Sequence, residues 1–214
     1  MKYTIVESNS GRTISTSGLL QVANFELCVT FDDLSLRPLA DEFLNFVYEI
    51  VASGQCITSG GTLSYGSWIT QVQLADNNIL SFWEQKPNST EYEPGITRTL
   101  KLWHAQHEVC RKLAATYTPP RFEQLVVVSA GVLEGEATEG VRYPSPDHMS
   151  GWWLSTDRYD GNLESLQTLH LQHVVNKRPD LVKYLALPFG YRFYGPTDQY
   201  WQDEKIECED HLDN

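Results

Sequence analysis

The sequence predicts an α+β protein of antiparallel sheets with packed helices, in which an N-terminal α+β domain over residues 1–120 is followed by a smaller α+β domain over residues 121–214. Three observations carry this reading. Short runs of alternating apolar residues occur in both halves, two longer stretches repeat apolar residues at helical spacing, and Thr118-Pro119-Pro120 halts the second of those stretches. A chain of 214 residues can bury one large core or two modest ones, since a domain commonly takes roughly 100–150 residues.

From the N-terminus, Leu20, Val22, Phe25, Leu27, Val29 and Phe31 alternate as a strand would, ending at the turn-like Asp32-Asp33. Leu36, Leu39, Phe43, Phe46 or Val47, and Ile50 then share one face of a helix over 36–51. Ser35 stands where an N-cap belongs, Pro38 falls in the first turn where its missing N–H does no harm, and Gly54 supplies the stop. Gly60-Gly61, Gly66 and Asp76-Asn77-Asn78 divide the next stretch into three strands near 56–65, 68–75 and 79–84, a meander whose last turn suits Asn because Asn tolerates left-handed angles. A polar loop over 85–95 leads into a second helix over 96–116, with Leu100, Trp103, His107, Cys110 and Leu113 on one face and Arg98, Lys101, Arg111 and Lys112 on the other.

In the second half, Gln124 to Ser129 is too apolar to face water and reads as a central strand, with Gly140–Tyr143 and Trp152–Ser155 as its neighbours. Glu134 to Glu139 is charged and contains Gly135, so it belongs on an exposed turn. Leu163–Asn176 and Pro179–Leu185 read as short helical pieces, the second opened by Pro179, and the acidic tail after Tyr200 is expected to fray.

The charge balance narrows the function. Twenty-eight acidic residues against 16 basic ones give −12, and the excess lies mostly behind residue 120. Such a field repels the phosphate backbone, which argues against nucleic-acid binding, and it favours encounter with a basic protein. Cys28, Cys56, Cys110 and Cys208 are scattered without a Cys-x-x-Cys pair, which excludes a zinc ribbon or a redox motif and fits small buried hydrophobes in a reducing cytoplasm. No run approaches a membrane span, and the N-terminal residues lack a signal-peptide core, so the expected setting is cytoplasmic.

Two His-x-x-His pairs, His104/His107 and His170/His173, have a spacing suited to zinc. Neither has the His-Glu-x-x-His order that places a general base between the ligands, and no third ligand is evident. Asp32, Asp33, Asp157 and Asp160 are residue types used by acid–base pairs and by turns alike, and turns are the commoner use. Neither a nucleophile elbow nor a phosphate loop is present, so the reading is a non-enzyme without a cofactor.

One stretch remains. Val126-Val127-Val128-Ser129 with Val132-Leu133-Glu134-Gly135, then Ser150-Gly151-Trp152-Trp153, Pro179 through Leu185, and Pro188-x-Gly190-x-x-Phe193 form an arrangement that resembles the immunity protein 33-like family of bacterial polymorphic-toxin systems. The resemblance covers about residues 123–195, departs from the family at Pro144 to His148, and matches nothing before residue 120. It implies a cytoplasmic immunity protein that binds and neutralises a cognate secreted toxin, a basic one in the case of a nuclease. A metal-dependent enzyme using a His-x-x-His pair and a regulatory or scaffold protein are the alternatives. Gly151, Pro188, Gly190 and Phe193 read as scaffold. Adjacent strand residues face opposite ways, so one of Trp152 and Trp153 enters the core while the other can face outward or lie under a covering helix. The expected partner contacts are Trp153, Asp157, Tyr159, Asp160 and Glu164, with Glu134 and Glu136, an aromatic anchor among acids of the kind that gives interfaces their hot spots.

Overall fold

The computed structural model describes residues 3–87 and 89–206. It contains two compact units, one made of residues 1–65 and 69–104 and the other of residues 66–68 and 105–214. Each has a mixed sheet with helices, an α+β fold.

The first unit opens with β1 (Thr4–Ser8), β2 (Thr13–Ser17), α1 (Leu20–Ala23) and β3 (Glu26–Thr30). The alternating stretch from residue 19 is therefore not one strand. Asn24 takes a left-handed φ of 65° and ends a short helical turn, leaving only Glu26–Thr30 to pair. The turn is pinned from β3: Glu26 accepts from Gly18 N (2.8 Å), Leu20 N (3.0 Å) and Thr16 Oγ1 (2.6 Å). Burial pushes the Glu26 carboxyl up, but these hydrogen bonds together outweigh it and hold the group below its ordinary value.

Helix α2 (Arg37–Ala52) follows a 3-10 turn over Leu34–Leu36. The capping side chain is Asp33 rather than Ser35; its Oδ1 accepts from Ser35 N (3.0 Å) and from Ser35 Oγ (2.6 Å). The expected meander is present as β4 (Thr62–Tyr65), β5 (Trp68–Ala75) and β6 (Ile79–Gln85), its first strand starting six residues later than expected because residues 56–61 run as a loop and turn, with Asn77 and Asn78 left-handed between the last two. The polar loop that follows contains a further short strand, β7 (Tyr92–Pro94), paired with β6. Helix α3 (Thr97–Lys112) stops four residues earlier than its pattern suggests, and Ala114 just beyond it has a φ of 50°.

Strand order in this sheet is β1-β2-β3-β6-β5-β4, antiparallel except for the parallel β3/β6 pair. Leu27 and Val29 on β3, Ile14 on β2 and Leu80 and Phe82 on β6 meet Phe43, Leu44 and Val47 of α2 in one core. Glu84 continues the inward row of β6. Its carboxylate accepts from Arg98 N (3.1 Å), Thr99 N (2.7 Å) and Thr99 Oγ1 (3.0 Å), closing the first turn of α3.

The second unit adds β8 (Leu125–Val128), β9 (Glu139–Arg142), β10 (Met149–Ser155), β11 (Gln167–His170), α4 (Leu171–Lys177), a 3-10 turn over Val182–Tyr184, β12 (Tyr191–Tyr194) and β13 (Gln199–Gln202). The order is β11-β8-β10-β9-β12-β13, antiparallel except for β8/β10. Three expectations are corrected. β10 stands between β8 and β9, so Gly140–Tyr143 is not a direct neighbour of β8. The stretch 163–176 is not one helical piece but a 3-10 turn over Leu163–Ser165 and α4 from Leu171, because Gln167–His170 between them zips onto β8. Tyr200–Gln202 lies in β13, paired to β12, while the tail beyond residue 206 and Cys208 lie outside the described residues. Of the remaining cysteines, Cys110 is buried, Cys28 is half-buried and Cys56 is exposed, so the buried reading fails at Cys56.

Because the folded carboxyl of Glu26 titrates below its unfolded value, its contribution is present above the unfolded pKa and fades as pH falls through the folded one. Glu26→Gln is therefore expected to cost about 1–2 kcal/mol at pH 7, an exposed-side discount on three charge-assisted bonds. Urea unfolding of both proteins should show the gap closing as the pH is lowered below the carboxylate range.

Candidate functional site

The six-stranded sheet sorts its side chains by register. Trp152, Leu154, Val126, Val128 and Phe193 share the inward face and are fully or almost fully buried. Tyr184 stacks on Phe193 with centroids 4.3 Å apart, and Trp152 donates from its indole to Leu185 O (3.0 Å). Gly140 is obligatory beside them, because a Cβ there would meet the Phe193 ring at 2.2 Å. Trp152 is thus the scaffold tryptophan, and Gly190 and Phe193 act in the frame as the sequence suggests.

Arg142 also points inward, with no carboxylate of the described residues paired to it. Its guanidinium donates to Ser150 O (2.9 Å), Thr118 O (2.6 Å), Leu187 O (2.5 Å) and Leu185 O (3.4 Å), and lies over the rings of Phe189 (4.9 Å) and Trp152 (5.9 Å). Burial pushes its pKa down to about 10, which leaves it charged at neutral pH. A second buried arginine, Arg178, holds Val132 O (2.8 Å), Glu136 O (3.1 Å) and Thr138 Oγ1 (2.9 Å), and pairs with Asp180 at 2.8 Å.

The outward face carries a row that crosses all six strands: Thr168, Val127, Trp153, Val141, Arg192 and Trp201. Trp153 is half-buried between Val127 and Val141, and Tyr143 meets it edge-on at 6.0 Å. Tyr143, Tyr194 and Trp201 on this side are 37%, 38% and 41% exposed. Glu139 sits in the next row, beside Tyr194 and bonded to Ser155 Oγ (3.2 Å).

The acidic residues named from sequence lie on loops gathered at one end of this sheet. β8 and β10 run parallel, so the segments that follow them leave at the same edge, where β9 and β11 begin. Thr156 ties the two exits together, with its N–H on Ser129 Oγ (3.0 Å) and its hydroxyl on Ala130 O (2.6 Å). Arg158 bridges them again through Glu136 at 3.1 Å. Glu134, Asp157 and Glu164 are exposed at this rim, and Tyr159 is half-buried in the turn after Thr156. Asp160 is exposed too, but its Oδ1 accepts from Asn162 N (2.9 Å) and Ser165 Oγ (3.1 Å), which hold its carboxyl below the usual range and make it a loop former.

The remaining candidates separate. His104 is exposed and His107 stacks on Tyr117 with centroids 3.7 Å apart. His170 is bonded through Nδ1 to Glu123 O (2.9 Å), with the His173 ring 6.5 Å away. Among the described residues no group of three or more His, Cys, Asp or Glu side chains could hold a metal ion. Asp33 is spent on its turn, and Asp32 donates its N–H to Thr97 Oγ1 (2.9 Å). Sequence reasoning missed Tyr143, Glu139, Tyr194 and Trp201; the missing signal was strand register, which only the β9, β12 and β13 pairings supply.

Half-exposed tryptophan and tyrosine are residue types enriched at protein interfaces, and here they stand on the outward face of an α+β unit. Residues 105–203 match the family model of the Imm33-like domain, which points to the immunity proteins. The matched segment begins within α3 and ends after β13, wider at both ends than the motifs that carry the sequence resemblance. No match was found among curated proteins or among solved structures.

Replacing Arg142 removes a buried donor that serves four carbonyls, one of them shared with the Trp152 indole, so Arg142→Met is expected to destabilise the protein by about 3 kcal/mol or more. Arg142→Lys should recover little of this, because a single ammonium cannot reproduce the planar fork. Equilibrium urea unfolding followed by tryptophan fluorescence measures both; a loss below about 1 kcal/mol for the methionine variant would remove the arginine from its assigned role.

Proposed function

We propose that this protein is an immunity protein that binds and neutralises a cognate toxin in the cytoplasm of the cell that makes both, and that residues 121–214 carry the recognition. The observation that supports it most is the Imm33-like match over a segment whose sheet presents aromatic residues beside an acidic rim. Neutralisation by binding needs complementarity and slow release and no turnover. Acids at a rim speed and orient the approach of a basic partner, while a central tryptophan contributes most to holding it. Accordingly Trp153 is the anchor, Glu134, Asp157 and Glu164 are the steering charges, Tyr159 flanks them, and Glu136 and Asp160 contribute through the loop shape they maintain. No helix among the described residues is long and apolar enough to cross a membrane.

The toxin to test is the product of the reading frame adjoining this one. The combined variant Glu134→Lys, Asp157→Lys, Glu164→Lys, which leaves Asp160 and its turn untouched, is expected to slow association at least about tenfold at low salt and to abolish protection on co-expression. Trp153→Ala should raise Kd by roughly 30-fold, mostly through dissociation, with circular dichroism verifying the fold. Full protection by the charge-reversed protein would refute the acidic rim as the docking edge.

A further inference from the structure

The first unit, outside the Imm33-like segment, contains a second recognition feature built from different elements. Asp41 and Glu42, with Asn45 and Phe46 one turn further along α2, line an open groove of about 530 Å³ together with Tyr65 of β4 and Trp103 of α3. Tyr65 forms its buried back wall, held edge-on by Phe43 at 5.0 Å and 84°. Phe46 and Trp103 flank it and are half-buried: the Phe46 ring is 5.0 Å from Tyr65, and the Trp103 ring stacks on Tyr65 at 5.2 Å and 20°. Glu42 and Asn45 are exposed at the mouth.

The half-buried rings of Phe46 and Trp103, seated on Tyr65, with the Glu42 carboxylate at the entrance, favour positive charge. Ring faces attract a cation through their quadrupoles, and carboxylates at the entrance add direct attraction while repelling anions. Asp41 is already paired with Arg37 (3.1 Å), which also pairs with Glu7, while Glu42 makes no ion pair among the described residues. A planar guanidinium fits this arrangement better than an ammonium, because it can lie flat on an aromatic ring and still direct N–H groups from its edge to Glu42 and to the amide oxygen of Asn45. Free arginine is a poor occupant, since its own carboxylate would face the same acids.

We propose that this groove is a docking site for an arginine side chain presented on the surface of a basic protein partner. The inference does not rest on the immunity reading. It assigns to the first unit a contact role of its own, in a chain whose overall charge of −12 already favours basic partners.

The test uses the full-length protein and three blocked pentapeptides, acetyl-Gly-Ser-X-Ser-Gly-amide with X as arginine, citrulline or lysine. The indole N–H resonance of Trp103, identified by its loss in Trp103→Phe, reports the site in ¹H–¹⁵N spectra. The arginine peptide should shift it saturably, with citrulline, its neutral isostere, at least about fivefold weaker. Glu42→Lys, an exposed substitution that leaves the rings in place, should abolish the shift. An equal response to citrulline, no saturable response to arginine, or unchanged binding in Glu42→Lys overturns the proposal. Tighter binding of the lysine peptide overturns the assignment to arginine.

Discussion

The second unit is organised around a positive charge that has no negative partner among the described residues. Arg142 is buried, and its guanidinium is balanced by the oxygen ends of backbone carbonyls from the segment after α3, from the start of β10 and from the run 185–187. A lone buried charge is costly unless its hydrogen-bonding capacity is met and its field is opposed by oriented dipoles. Meeting that requirement fixes where three otherwise irregular stretches lie. Trp152 and Phe189 close over the guanidinium, Trp152 anchors Leu185, and Tyr184 is brought onto Phe193. The inward half of the domain follows from these few constraints.

The outward half follows from the same strands by parity. Because alternate residues point to opposite faces, fixing Trp152 inside commits Trp153 to the other side, and the bulge at Gly151 sets which residue of β10 begins that alternation. Gly151 sits at a φ of 78° with the Tyr143 carbonyl where a Cβ would project, so a larger residue there would disturb the register that aims both tryptophans. The face that we propose for recognition is therefore positioned by the core rather than by contacts of its own.

How much of this was legible in the sequence depended on the range of the forces involved. Helix α2 and the β4–β6 meander were readable because periodicity, Pro38, Gly54 and the Asn77-Asn78 turn act locally. Strand β11 was not, since Gln167-Thr168-Leu169-His170 owes its conformation to pairing with β8, some forty residues earlier in the chain. Strand β12 escaped for the same reason, since it pairs with β9 some fifty residues earlier, and β13, which pairs onto β12, escaped with it, as did the exposed Tyr194 and Trp201. The acids Glu134, Asp157 and Glu164 were found from composition, but their arrival at one edge comes from the parallel β8/β10 pair, which no local signal announces. Arg142 read as one more strand residue, and nothing in Gly-Val-Arg-Tyr signals a buried charge whose acceptors are all main-chain atoms.

That choice of acceptors has an evolutionary corollary. Arg142 is satisfied entirely by peptide oxygens, and Arg178 fastens the rim through the main-chain carbonyls of Val132 and Glu136. Every residue type offers a carbonyl, so these anchors are indifferent to which side chains occupy the positions they hold. Glu134, exposed on the loop that Arg178 holds by its carbonyls, can therefore be exchanged while the path of the loop is preserved, and the surface can vary there without renegotiating the interior.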